Sequence, residues 1–132
     1  MVLLLALLGP LEGQTKPPTY TGHYELAEAN SDSVFSLDVT QTGNKVEFSF
    51  SAGMTDGSGA APDGGGKGTV GKDGTVTFTF TDSFDNEGKG TLVKGTHGYI
   101  LQMDPTKVVE PRPLRFYDTI HLKKTSDKPS PT

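Results

Sequence analysis

The chain contains no cysteine and no tryptophan. Without thiols there is no disulfide, no thiolate metal site, no thiol nucleophile and no cysteine to carry a lipid, so packing and hydrogen bonds alone must hold the fold. Positive charge is also in deficit: 12 Lys and Arg stand against 16 Asp and Glu, a net charge of −4. The basic residues are scattered along the sequence with no run or stripe, so nucleic acid is not expected as a partner. No N-x-[ST] sequon occurs, since Asn30, Asn44 and Asn86 all fail at the third position. Long hydrophobic runs are missing too. The longest, Met1 with "VLLLALL" at 2–8, has 8 residues, far short of the roughly 20 that span a bilayer.

That apolar run, followed by Gly9-Pro10 and Gly13, reads as the core of a signal peptide cut after Gly13, with its basic start truncated. The expected location is therefore secreted or periplasmic, with no membrane insertion once the signal is gone. Residues 14–19, "QTKPPT", form an extended lead-in, and residues 124–132 read as a disordered polar tail. A single domain is left over residues 20–123.

Helical periodicity is absent, and strict alternation takes its place. Tyr20, Gly22, Tyr24 and Leu26 share one face, as do Phe35, Leu37 and Val39. Val46, Phe48, Phe50 and Ala52 form a third set, and Val76, Phe78 and Phe80 alternate with four threonines. Shorter runs lie around 68–70, 90–93 and 99–103. A final one, "LRFYDTIHLK", places Leu114, Phe116, Ile120 and Leu122 in phase. Period-two patterning buries one face of each strand. The connections "TGNK", "GKDG" and "KGTHG" are tight and rich in turn residues, so successive strands are antiparallel neighbours. The sequence thus predicts an all-β, antiparallel up-and-down meander of about eight strands. Closure into a small barrel removes the sheet edges; a two-sheet β-sandwich is the alternative.

One stretch imitates a phosphate loop. Gly66 to Lys72 supplies G-x-x-x-x-G-K, but Asp73 stands where Ser or Thr belongs. A phosphate loop also needs a helix after it, whose N-terminus meets the anion. Here "GKGTV" at 66–70 recurs as "GKGTL" at 88–92, each after a Val-x-Phe-x-Phe strand. The repeat marks the return arm of a hairpin, and the first copy carries eight extra residues within "DGSGAAPDGGG". The acidic loop "DSFDNEG" departs from the EF-hand pattern, with Phe84 where an oxygen ligand is required. His23 and His121, outward on the first and last strands, are two ligands without a third, so no metal and no cofactor are expected.

Asp118 stands out because it shares the inward phase of Phe116 and Ile120. A carboxylate among apolar neighbours needs a partner. It would anchor a ligand, pair with Arg112 or Arg115 near the barrel mouth, or be turned outward by a local bulge. The segment 103–116 is stiffened by three prolines and exposes Val108-Val109 unless they are covered. No Ser-His-Asp, paired-carboxylate or Cys-His grouping appears, so catalysis is not expected.

"GHY" at 22–24 opens the first strand of this meander, and the whole resembles the calycin-type barrels, lipocalins and avidin-like proteins, where G-x-W occupies that place. The resemblance implies a binding protein. It implies that Tyr24 takes the tryptophan's position at the closed end, with Arg115 as the nearest candidate for the arginine that packs across that ring. The leading expectation is a monomeric, non-catalytic binder of a small apolar ligand in the barrel or at its mouth, near Tyr24, Tyr99, Phe116 and Asp118 with Arg112 and Arg115. One alternative is a solid-core barrel engaging another protein through loops 53–66 and 104–113. Another is a cyclase- or isomerase-type barrel enzyme.

Overall fold

Each alternating segment found by sequence becomes a strand with one dry face. In the computed structural model, which describes residues 19–28 and 31–130, they are β1 (Gly22–Leu26), β2 (Ser33–Thr42), β3 (Lys45–Met54) and β4 (Asp63–Val70), then β5 (Val76–Asp82), β6 (Glu87–Gly95), β7 (Gly98–Lys107) and β8 (Thr119–Ser126). The expected signal segment 1–13 and residues 14–18 of the lead-in lie outside the described residues. Every strand pairs antiparallel with the next, and β8 returns to β1, with Leu26 opposite Leu122 and Tyr24 opposite Lys124. The sheet is a closed barrel, not a sandwich.

The lower end carries the chain's entry at Thr19, the turns at 43–44, 71–75 and 96–97, and the exit after Ser126. The upper end carries the connections 27–32, 55–62, 83–86 and 108–118. The eight surplus residues of the first hairpin split evenly. Its upper loop, 55–62, is longer than 83–86 by four, and the arms of β3 and β4 take the rest. Phe48 therefore faces Gly66 whereas Phe78 faces Gly90, a two-residue register offset between the copies. An even offset keeps every side chain on its own face.

This register explains "GGGKG". The inward positions of β4 are Gly64, Gly66 and Gly68, opposite Phe50, Phe48 and Val46 on one side and Asp82, Phe80 and Phe78 on the other. On β6, Gly88 and Gly90 face Phe80 and Phe78. A methyl group on Gly66 would come within 2.9 Å of Phe48 Cζ and run into the Thr79 carbonyl; on Gly90 it would meet Phe78 Cζ at 2.7 Å. The glycines leave the volume that four phenylalanine rings occupy. The rings interlock, Phe48 edge-on to Phe78 with centroids 4.9 Å apart and Phe50 edge-on to Phe80 at 6.0 Å. The lysines between these glycines, Lys67 and Lys89, point to solvent.

Three local expectations are corrected. Residues 104–107 belong to β7 and not to an irregular segment, Pro105 being tolerated opposite Gly88 where the ladder shifts register. Leu114 and Phe116 are not in the last strand, because Pro111 and Pro113 favour a short 3-10 helix, Arg112–Phe116, and β8 starts only at Thr119. The helix resets the alternation, so Asp118 is exposed. At the other end β8 runs past Lys123 to Ser126, and Ser130 N–H donates to Asp38 Oδ1 at 2.6 Å, so the expected disordered tail is ordered through residue 130.

The ring-over-glycine packing gives a direct test. Gly66→Ala should lower the urea unfolding midpoint by the equivalent of about 1–3 kcal/mol, the usual cost of overpacking a filled core. A substitution that leaves the midpoint unchanged would show that the rings have room to spare.

Candidate functional site

The lower end is sealed by tyrosines. Tyr24 is fully buried, and its hydroxyl donates to the Tyr20 carbonyl at 2.5 Å. The Tyr20 hydroxyl in turn donates to the Gly74 carbonyl, also at 2.5 Å, tying the chain's entry to the β4–β5 turn. Tyr99 meets Tyr24 edge-on with centroids 4.8 Å apart. Burial pushes the Tyr24 phenol well above its ordinary pKa, so it remains a neutral donor. The cation across this ring is not Arg115. Lys124 of β8 lies with its Nζ 5.7 Å from the Tyr24 centroid and 6.0 Å from that of Tyr99. Arg115 sits at the opposite end, over Phe116 at 5.8 Å.

Between the ends the interior is filled. Leu37, Val39, Val46, Phe48, Val76, Phe78, Leu92 and Leu101 surround a void of only about 10 Å³. That is at most the space of one water, and its lining is wholly apolar. The sequence points to a small apolar ligand in the barrel or at its mouth, and within this ring of side chains the space is no larger than that of one water.

The upper end is closed by a buried polar cluster that sequence reading missed. Asn86 is fully buried and Asp82 nearly so. Asn86 Nδ2 donates to Asp82 Oδ2 at 3.0 Å and to the Glu110 carbonyl at 2.9 Å. Its Oδ1 accepts the backbone N–H groups of Val109 and Glu110 at 2.8 and 3.0 Å. The amide thus spends its full capacity of two donors and two acceptors. The Asp82 carboxylate also accepts the Tyr117 hydroxyl at 2.7 Å and the N–H groups of Phe84 and Asn86 at 2.8 and 3.0 Å. Burial alone would raise the Asp82 pKa; the hydrogen bonds from Tyr117, Asn86 and Phe84 outweigh it and hold the carboxyl below its ordinary value. Burial, and then the Asp82 acceptor, push the Tyr117 phenol well above its own. Asp85, at φ 67, makes the tight turn that aims Asn86 inward. The only sequence signal was an Asp and an Asn four residues apart across a turn, a spacing too common to single out.

The six residues expected to form one site divide between the two ends. Tyr24 and Tyr99 lie at the bottom. Arg115, Phe116 and Asp118 come together at the top, along a half-open notch of about 560 Å³ whose apolar side is Leu26, Phe35, Phe116 and Ile120. Arg112 is outside it, its Nε 3.2 Å from Glu110 Oε2. Beside the notch, Val108 and Val109 are 48% and 57% exposed.

On the outer wall, His23 lies between two carboxylates, Nδ1 at 2.7 Å from Asp38 and Nε2 at 2.9 Å from Glu25. His121 is not its neighbour, since Ser126 stands opposite His23 in the ladder. Asp38 and then Glu25 favour the doubly protonated ring and raise its pKa. Its contribution to stability is complete below about pH 6.5 and is lost as the pH rises through the raised value. Ser130 Oγ is 3.1 Å from the same Nδ1, which gives a serine, a histidine and two acids in contact. Because Asp38 holds Nδ1 as a donor, that nitrogen is not free to take a proton from the hydroxyl, and the group is an anchor for the chain's end.

Two outcomes follow from the Asp82–Asn86 cluster. Asn86→Ala strands two backbone donors and a buried carboxylate and should cost about 2–4 kcal/mol in urea unfolding at neutral pH. A depressed folded-state pKa gives Asp82 a contribution that is present above about pH 4 and lost as the pH falls through the folded value. The stability of the parent protein should therefore fall between about pH 5 and 3, and less steeply in Asp82→Asn; equal slopes would show that Asp82 is not linked to folding.

No protein-family model, no curated protein and no solved structure matches this chain.

Proposed function

We propose that this is a secreted or periplasmic, non-catalytic binding protein that engages another protein with its upper rim, led by Val108-Val109. The observation that carries this reading is an apolar tip that is exposed and at the same time held rigid. Val109 and Glu110 hang by their N–H groups from the fully buried Asn86, which is itself bonded to Asp82, the acceptor of the Tyr117 hydroxyl. Two adjacent valines facing water on a fixed loop are a preformed anchor, and little ordering entropy remains to be lost on binding. Charged pairs flank them, Lys107 with Glu87 at 3.8 Å and Arg112 with Glu110 at 3.2 Å. An apolar centre inside a polar rim is the usual anatomy of an interface. The small void among the interior side chains supports the same reading.

A second reading keeps the small ligand but moves it outside, into the notch. Its volume is of the size that small-molecule sites have, and Phe35, Phe116 and Ile120 supply an apolar wall with Arg115 and Asp118 at the edge. The calycin-type resemblance belongs with either reading; a cation from the last strand over Tyr24 favours it, with Lys124 in the place given to Arg115.

Immobilised protein should retain a discrete partner from the secreted or envelope fraction of its own source. Val108→Ser with Val109→Ser should reduce that retention at least tenfold, the loss of two buried anchors, while leaving the unfolding midpoint unchanged. Undiminished retention by the double variant would remove the tip from the interface. Native mass spectrometry showing a co-purified small molecule, lost in Phe116→Ala, would favour the notch instead.

A further inference from the structure

Lysines that look scattered in the sequence are gathered by the topology. Because successive strands are antiparallel, Lys45 at the start of β3, Lys72 in the β4–β5 turn, Lys94 near the end of β6, and Lys124 and Lys128 at the end of the chain all fall at the lower end. Among the described residues Asp73 and Asp127 oppose them there, with Glu47 two residues above Lys45 and Asp38 bonded to His23 and Ser130 at the edge of this end. Asp127 lies 3.6 Å from Lys124, and Asp73 accepts the Thr75 N–H. Lys45, Lys72, Lys94 and Lys128 are exposed, and among the described residues none has a carboxylate within ion-pair distance. The upper end has the reverse balance: Glu28, Asp32, Asp56, Asp63, Asp85, Glu87, Glu110 and Asp118 against Lys107, Arg112 and Arg115. A protein of net charge −4 is thus basic at one end.

The covalent course of the chain marks the same end. Residues 1–18 join the barrel at Thr19, on the lower end, and they carry the apolar run 2–8 with one acid, Glu12, and one lysine, Lys16.

We propose that the lower end is a docking face for an anionic lipid surface, on which the barrel stands upright with its acidic rim and Val108-Val109 turned away. Clusters of four or more lysines on one face are attracted to anionic headgroups, and each lysine near such a surface is worth about a fivefold gain in partitioning at moderate salt. The acidic rim is repelled by the same field, so one orientation is selected. The contact is adsorption: among the described residues no helix is long and apolar enough to cross a membrane. The orientation holds whether or not the rim binds a protein, and the lipid test below needs no such partner.

The full-length protein would be sedimented with vesicles of phosphatidylcholine alone and with one third phosphatidylglycerol, at low and at raised salt. Binding is expected only to the anionic vesicles, weakening as salt screens the charges. Lys45→Glu with Lys94→Glu should lower it at least tenfold, whereas Lys67→Glu with Lys89→Glu, the same charge change on the barrel's mid-wall, should leave it within about threefold. Equal losses from both pairs would overturn the proposal, because net charge and not the lower end would then govern binding. Equal binding to neutral vesicles would overturn it in favour of the apolar run 2–8. Two further results would replace the lipid by another occupant: heparin bound as tightly as vesicles, or vesicle-free assembly at low salt that Lys45→Glu with Lys94→Glu abolishes, which would identify the acidic rim of a second copy.

Discussion

Everything in this barrel depends on fitting four phenylalanine rings inside eight strands. Phe48, Phe50, Phe78 and Phe80 come from two neighbouring hairpins and project toward one another. Eight strands enclose little more than the side chains that point inward. The rings fit only because the facing positions of β4 and β6 are glycine. Those glycines weaken their strands intrinsically, since they have no side chain to pack and much freedom to lose. The aromatic faces laid over them compensate. Core and wall are therefore one arrangement, and the space that could have held a ligand has been given to the rings.

The two ends of this solid centre differ in how they are closed. The bottom is closed by aromatic hydroxyls donating to backbone carbonyls, with Lys124 covering the rings. The top is closed by a carboxylate and an amide that satisfy one another and the loop above them. Buried polar groups of this kind are costly unless every member is paired, and here every member is. The result is a loop whose apolar tip is fixed by the most polar part of the interior.

Much of the architecture was legible before the structure. Alternation located the strands, and short turns predicted the meander and its closure. The hairpin repeat showed that "GKGT" belongs to a strand, although not that its glycines make way for rings, which requires the register. Reading failed where the period was interrupted. The 3-10 helix at Arg112–Phe116 shifted Asp118 from inside to outside, a change of phase that no local residue announces. It failed again where residues distant in sequence act together. Asn86 reads as an ordinary turn residue until the 108–111 segment lies above it. Lys124 was assigned to a tail because its neighbours are polar, while its own side chain covers Tyr24. The basic end is invisible in any linear window, because it takes five reversals of direction to bring Lys45, Lys72, Lys94 and Lys124 to one level.

The seam between β1 and β8 sets the order in which the molecule can be finished. Tyr24 and its partner Lys124 come from opposite ends of the domain, so the last ladder to form spans nearly all of it. Until β8 exists, β1 and β7 each present a bare edge and the tyrosine seal has no cover. Contacts of such wide separation are slow to form, since the intervening chain must be ordered first. A ribosome that withholds the C-terminal strand therefore withholds the barrel, leaving the emerging chain open. Closure by the final strand works as a timer: the barrel is complete only once the whole domain, through Ser126, is available.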